Sequence, residues 1–230
     1  MNSKVLLIIP AYNESGNIDK VIKDIKENAK DVDYIIVNDA SKDNTLEICR
    51  KSQYNCINSL VNLGLWGAVQ TGLKYAMNNN YDIAIQFDGD GQHSAKYVKK
   101  LVKEIENGTD IAIGSRFVTE KKPWSLRMLG SRVISTCIRL TTWKKITDPT
   151  SGMRAYNKNV IKEYALDMNN PPEPDTLVYM LKKKKKIKEI QVEMSERKEG
   201  TSSFNIAHTI KYMCRMVVSI FFIQPFRKRK

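Results

Sequence analysis

Short apolar runs alternate with amphipathic helical stretches through the first half of this chain, and few folds accept that pattern besides a parallel sheet covered on both faces. Val5-Leu6-Leu7-Ile8-Ile9 is continuous, as a strand buried on both sides requires. Ile18, Val21, Ile22 and Ile25 then recur at helical spacing, with Lys20, Lys23 and Lys26 off that stripe. The alternation predicts strands at 34–37, 56–60 (weak), 83–87 and 110–113, with helices at 43–50, 65–77 and 96–105 between them. The second half is less regular. A helix is expected at 125–140, a break at Asp148-Pro149-Thr150-Ser151-Gly152, and a turn-rich stretch from Asn169 to Pro174. A short helix ending at 182–186, a strand at 187–194 and a last helix at 204–222 follow.

Composition bounds the function classes. With 230 residues, 42% hydrophobic and 27% charged, the chain fills one large globular domain. Extended disorder and a disulfide-stapled miniprotein are excluded. Cys49, Cys56, Cys137 and Cys214 are scattered, and only His93 and His208 accompany them, so a Cys/His zinc site is not expected. Free thiols fit a reducing compartment, and the first apolar run is too short for a signal-peptide core, which gives a cytoplasmic expectation. The net charge is +13, and residues 182–230 contribute +10 of it against +3 for the first 181. An anionic partner is therefore expected at the C-terminal end. The last helix carries Ile206, Ile210, Met213, Val217 and Ile220 on one stripe and becomes apolar nearly all round at 216–223. That stretch is too short to span a bilayer. Two readings stand: an interfacial helix with Arg227-Lys228-Arg229-Lys230 against acidic headgroups, or a helix packed on the sheet with a solvated basic tail.

Chemistry concentrates where strands end. Asp88-Gly89-Asp90-Gly91-Gln92 directly follows a predicted strand, and two carboxylates on a tight turn suit one hard cation such as Mg2+ or Mn2+. An EF-hand is excluded, because His93 and Lys99 stand where its loop needs Gly and Glu. Neither phosphate-binding glycine motif is present. The first strand runs into Pro10-Ala11-Tyr12-Asn13-Glu14 and the second into Asn38-Asp39-Ala40-Ser41, with Ser41 and Asp43 also explicable as helix-opening residues. Three polar or acidic clusters at three strand ends are more than core packing needs, and they favour a binding site.

These segments, with Gly114-Ser115-Arg116-Phe117, resemble family 2 glycosyltransferases in order and spacing. Asp148 to Arg154 and Arg197-Lys198-Glu199-Gly200-Thr201-Ser202 resemble the polyprenyl-phosphate branch, the relatives of dolichol-phosphate mannosyltransferase. The resemblance spans roughly residues 4 to 224. It implies a GT-A fold: an α/β architecture with a mostly parallel, Rossmann-like sheet, helices on both faces and a C-terminal amphipathic helix. It divides the chain into a catalytic domain at 1–203 and a basic, membrane-associating segment at 204–230. By the same resemblance Pro10, Tyr12 and Glu14 hold the nucleoside and Asp39 reads base or ribose. Asp88, Asp90 and Gln92 hold the metal at the donor's diphosphate. Arg116, with Arg127 or Arg132, meets phosphate or sugar. Asp148 and the Ser151-Gly152 turn lie near the acceptor, and Arg197 lies in a closing segment. Glu173 and Asp175 either read sugar hydroxyls or merely open a helix.

Departures matter too. Asn38 replaces a common Asp, Trp66 replaces a small or charged residue, and Thr201 and Ser203 stand where lysines are common. The implied reaction is inverting transfer from a nucleotide-sugar to a polyprenyl (undecaprenyl) phosphate at the inner membrane face, with a separate membrane-protein partner conceivable. UDP-glucose and UDP-N-acetylglucosamine are favoured as donors over GDP-mannose. The rivals are a family 2 transferase with a soluble or polysaccharide acceptor, and a non-catalytic nucleic-acid module. No stacking-aromatic or recognition-helix pattern favours the latter, so nucleic acid is not an expected partner.

Overall fold

The computed structural model describes residues 3–167, 172–195 and 206–227, without the side chains of residues 126, 127 and 206–209. Seven strands form one sheet: β1 (Val5–Ala11), β2 (Asp33–Asn38), β3 (Cys56–Asn58), β4 (Ile83–Gln86), β5 (Ile111–Ser115), β6 (Arg154–Asn157) and β7 (Ile187–Gln191). Their order is β3-β2-β1-β4-β6-β5-β7, and every pairing is parallel except those of β6, which runs antiparallel between β4 and β5. The α/β expectation holds.

All seven residues of β1 are buried, and their alternation divides them between two cores. Leu6 and Ile8 face α3 (Gly64–Asn78) and α6 (Lys158–Leu166), whereas Val5, Leu7 and Ile9 face α1 (Ile18–Asn28) and α4 (Val98–Glu106). Each such side chain contributes about 1.5–3 kcal/mol of burial, so the central strand binds the layers together. Gly72 sets how closely α3 approaches, because a Cβ there would lie 2.2 Å from Ile8 Cγ2.

The remaining helices are α2 (Thr45–Lys51), α5 (Leu126–Thr142), α7 (Thr176–Lys182) and α8 (Ile206–Val218), which continues as a π-helical turn at Ser219–Ile223. Two elements escaped the periodicity argument. β6 has four residues and carries a wholly buried Arg154, so it shows neither an apolar run nor alternation. α6 follows it without a loop, capped by Asn157, whose side chain accepts from the Val160 amide. Of the stripe expected on the last helix, Met213, Val217 and Ile220 pack on the core as expected, and one described residue departs from it. Ile210 is 59% exposed, while Met216 and Ile220 enter the α3–α6 core. The helix packs on α5 through its C-terminal half, and the π-turn rotates Ser219 inward with Ile220.

Candidate active site

The carboxyl ends of β1, β2 and β4 share one rim of the sheet, and the chain leaving them walls a cleft of about 500 Å3. Six of the expected residues line it: Pro10, Tyr12, Glu14, Asp39, Asp88 and Asp90. Tyr12 is exposed, Asp39 is buried, and Glu14 is nearly so, held by Asn17 Nδ2 at 2.7 Å. Asp39 Oδ1 accepts the Leu63 amide at 2.7 Å, and its carbonyl accepts Asn62 Nδ2 at 3.1 Å. This loop, with Asn62, Gly64 and Leu65 in the cleft wall, was not anticipated. Its signal was Gly64, which has φ +73° and open space about it at the mouth of a helix. Trp66 is half-buried beside that wall. Asn38 turns to its neighbours, donating to Asn58 Oδ1 and accepting from Ser41. Asp43 braces the loops: burial alone raises its pKa, but bonds from Thr45 and Ser15 outweigh that and hold the carboxyl below its ordinary range.

Asp88 is positioned from three sides. Gln86 Nε2 donates to its Oδ1 at 3.2 Å, and His93 Nε2 lies 3.4 Å from its Oδ2. Gly152 packs against it so closely that an added Cβ would sit 1.8 Å from Oδ2. His93 is buried against Phe87, with Nδ1 unpartnered, and its support of Asp88 went unread in the sequence. Asp90 Oδ1 accepts the Gln92 amide at 3.0 Å across a turn that Gly91 makes possible at φ +75°. Among the described residues no group of three or more His, Cys, Asp or Glu forms a closed metal cage. Asp88 and Asp90 give the cleft an open pair of hard oxygen donors. Gln92 Nε2 reaches the Ser195 carbonyl at 3.4 Å, and Gln92 is not among the residues that line the cleft. The carboxylate pair fits Mg2+ or Mn2+ completed by phosphate oxygens.

Of the expected arginines, the two whose side chains are described, Arg116 and Arg132, do not line this cleft. Arg116 makes a two-pronged bond to Asp148, Nε to Oδ2 at 2.7 Å and Nη2 to Oδ1 at 2.9 Å, and Asp148 is fully buried. Asp148 and Thr147 in turn donate their amides to Glu189. Arg132 lines a second cleft of about 500 Å3 with Lys122, Trp124, Ser135 and Arg139. Its guanidinium bonds the Lys122 and Pro123 carbonyls and lies 4.6 Å over the Trp124 ring. The Arg127 side chain and Arg197, Thr201 and Ser203 lie outside the described residues.

The 148–152 turn joins the two clefts. Asp148 holds Arg116, Thr150 Oγ1 reaches Ser131 Oγ on α5 at 3.4 Å, and Gly152 abuts Asp88. The turn is fixed from beneath by Arg154, which donates to the carbonyls of Pro149, Ser151 and Pro172. Glu173 and Asp175 open α7, the second of the two roles expected of them: Asp175 is its N-cap residue and the Glu173 carbonyl accepts Thr176 Oγ1. Glu173 accepts Arg215 at 2.8 and 2.9 Å, and Asp175 accepts Ser219 and Gln224, so both clamp the C-terminal helix.

A mostly parallel sheet with a carboxylate-bearing cleft at its strand ends is an α/β ligand-binding architecture, and comparison gives its family. The chain belongs to glycosyl transferase family 2, whose profile matches residues 6–165. It is 33% identical over 182 residues to UDP-N-acetylglucosamine--dolichyl-phosphate N-acetylglucosaminyltransferase of Methanococcus voltae, covering 69% of this chain and 71% of that one. It is 31% identical to dolichol-phosphate mannosyltransferase of Pyrococcus furiosus over 223 residues, 91% of this chain and 62% of the relative. Glucosyl-3-phosphoglycerate synthase of Mycobacterium tuberculosis, solved with Mn2+, UDP-glucose and phosphoglyceric acid, superposes with a TM-score of 0.72 at 16% identity, over 100% of this chain and 82% of its own. The fold is GT-A, and the chain is a glycosyltransferase.

Proposed function

We propose that the chain transfers a sugar, with inversion, from a nucleotide-sugar to a polyprenyl phosphate. The observation that carries this reading is the pairing of an acidic cleft with a cationic one through a single rigid turn. Tyr12, Glu14 and Asp39 bind the nucleoside, and Asp88 and Asp90 hold Mg2+ or Mn2+. When bound, the cation neutralises the donor's diphosphate as it leaves. The acceptor phosphate is already anionic at neutral pH, so no general base is needed. The residues' task is to align two phosphates and screen their repulsion. Arg132 and its neighbours hold the acceptor phosphate, Arg116 stays oriented by Asp148, and attack from that side inverts the anomeric carbon. UDP-glucose and UDP-N-acetylglucosamine are the favoured donors, with GDP-mannose the alternative.

A peripheral position on a membrane's cytoplasmic face suits this acceptor. Among the described residues no helix is long and apolar enough to cross a bilayer. Leu129, Val133 and Leu140 on α5 and Trp143 at its end are exposed, with exposed Arg139, Lys144 and Lys145 beside them in sequence, and Phe222, Ile223 and Phe226 are exposed at the C-terminal end. Both segments suit an interfacial contact with acidic lipid.

The test is transfer of radiolabelled sugar from each donor into butanol-extractable lipid, with undecaprenyl phosphate and Mg2+ or Mn2+, beside Asp90→Ala. Metal-dependent lipid label from one donor, lost in the variant, is expected. Label in a water-soluble product instead overturns the acceptor.

A further inference from the structure

Lys122 is a half-buried ammonium that no carboxylate among the described residues bonds directly. Its Nζ donates to Ser131 Oγ at 2.9 Å and Ser135 Oγ at 3.3 Å and lies 5.4 Å from the Phe117 ring centre. An ammonium has three donors, so one remains for a ligand. The nearby carboxylates are committed elsewhere: Asp148 to Arg116, and Glu189 to Thr147 and the Asp148 amide. Arg116 and Arg132 add like charge close by, and Arg139, Lys121 and Lys145 border the same cleft, with Glu120 the acid on its rim. Purely structural lysines are paired or extend their charge to water. This one is drawn inward among cations and hydroxyls, an arrangement that an anionic ligand completes.

We propose that Lys122 Nζ is a direct ligand of the phosphate captured in this cleft, acting beside Arg132. The phosphate itself is inferred from the cleft alone; that it belongs to a polyprenyl chain rests on the function proposed above. A lysine there has a consequence that an arginine lacks. Burial, reinforced by Arg132 and Arg116 and only partly offset by Asp148 and Glu189, brings its pKa down to about 8. The ammonium form binds phosphate, so affinity is full below that value and declines as pH rises through it. A phosphate monoester, with its second pKa at ~6, stays dianionic over that range, so the decline reports the protein.

The experiment measures calorimetric binding of a short-chain prenyl monophosphate and of glycerol phosphate to the full chain at pH 7.5 and 9.0. Wild type is expected to weaken about fivefold between the two pH values. Lys122→Met should bind about tenfold more weakly at pH 7.5, a single charge-assisted contact, and lose the pH dependence. Lys122→Arg should restore affinity and stay flat with pH, which separates ligation from folding. In transfer assays Lys122→Met should raise the acceptor KM and leave kcat within about twofold. Wild-type affinity and pH dependence in Lys122→Met overturn the proposal, as does a wild-type protein that binds neither phosphate. If Lys122-dependent binding of glycerol phosphate is found and prenyl phosphate is refused, the ligand role stands and the lipid acceptor falls.

Discussion

The two clefts are built in opposite electrostatic senses by the same device. In the acidic cleft, Asp88 and Asp90 are held by Gln86, His93 and a backbone amide, and among the described residues no lysine or arginine bonds to them. In the basic cleft, Lys122 and Arg132 are held by hydroxyls and carbonyls, and among the described residues no carboxylate bonds to them. Between the two stands Arg116 with Asp148, a matched and largely buried pair. Charges that the fold compensates hold the fold together, whereas charges it orients but leaves uncompensated await ligands. That distinction separates Arg116 from Arg132, which motif resemblance treats alike.

The largest expected effect tests the acidic side. Asp90→Asn keeps the shape of the turn and removes the charge, and it should lower kcat by ~10^2–10^3-fold while Tm stays within about 2 °C. Asp148→Asn is its counterpart on the matched pair and should act through stability. Breaking a buried pair costs ~3–5 kcal/mol, or a Tm drop of about 10 °C in a domain this large. Calorimetry and kinetics on both variants check the contrast, and it breaks if Asp148→Asn melts like wild type. Gly152→Ala probes the joint between the clefts. Its Cβ would lie 1.8 Å from Asp88 Oδ2, so the carboxylate must move. A displacement of that kind costs about 10^2-fold in turnover, against only ~1–3 kcal/mol of stability for overpacking. Turnover unchanged in Gly152→Ala would show that Asp88's position is not set by the turn.

Much of this architecture was legible because β1, β2, β4 and β5 are buried on both faces and therefore written as apolar runs. The acidic cleft was legible for a related reason: its carboxylates follow those runs directly, at the strand ends. What was not legible is what tertiary contact decides. β6 is specified by Arg154, a charged residue that spends its donors on three carbonyls, and no periodicity announces that. His93 serves Asp88 through a fold of the turn rather than through spacing. Lys122 looks like one more surface lysine in Glu120-Lys121-Lys122, and only its seat between Ser131 and Ser135 sets it apart.

Glu173 offers the finest test of the compensation rule, because one of its two expected roles was to read sugar hydroxyls and the structure pairs it with Arg215. Burial pushes its carboxyl pKa up, and Arg215 opposes that from a side chain 59% exposed, with two bonds at 2.8 and 2.9 Å. So open a pair is partly screened by water and contributes at most ~1 kcal/mol. Glu173→Gln keeps an acceptor for the guanidinium and removes the burial cost of the charge, and these changes nearly cancel. The expected outcome is a Tm within about 3 °C of wild type and donor kcat/KM within about twofold, measured at pH 7. A clamp explains that result. If Glu173 instead reads sugar hydroxyls, kcat/KM falls at least tenfold with Tm unmoved, and a carboxylate matched within the fold would then also serve the ligand.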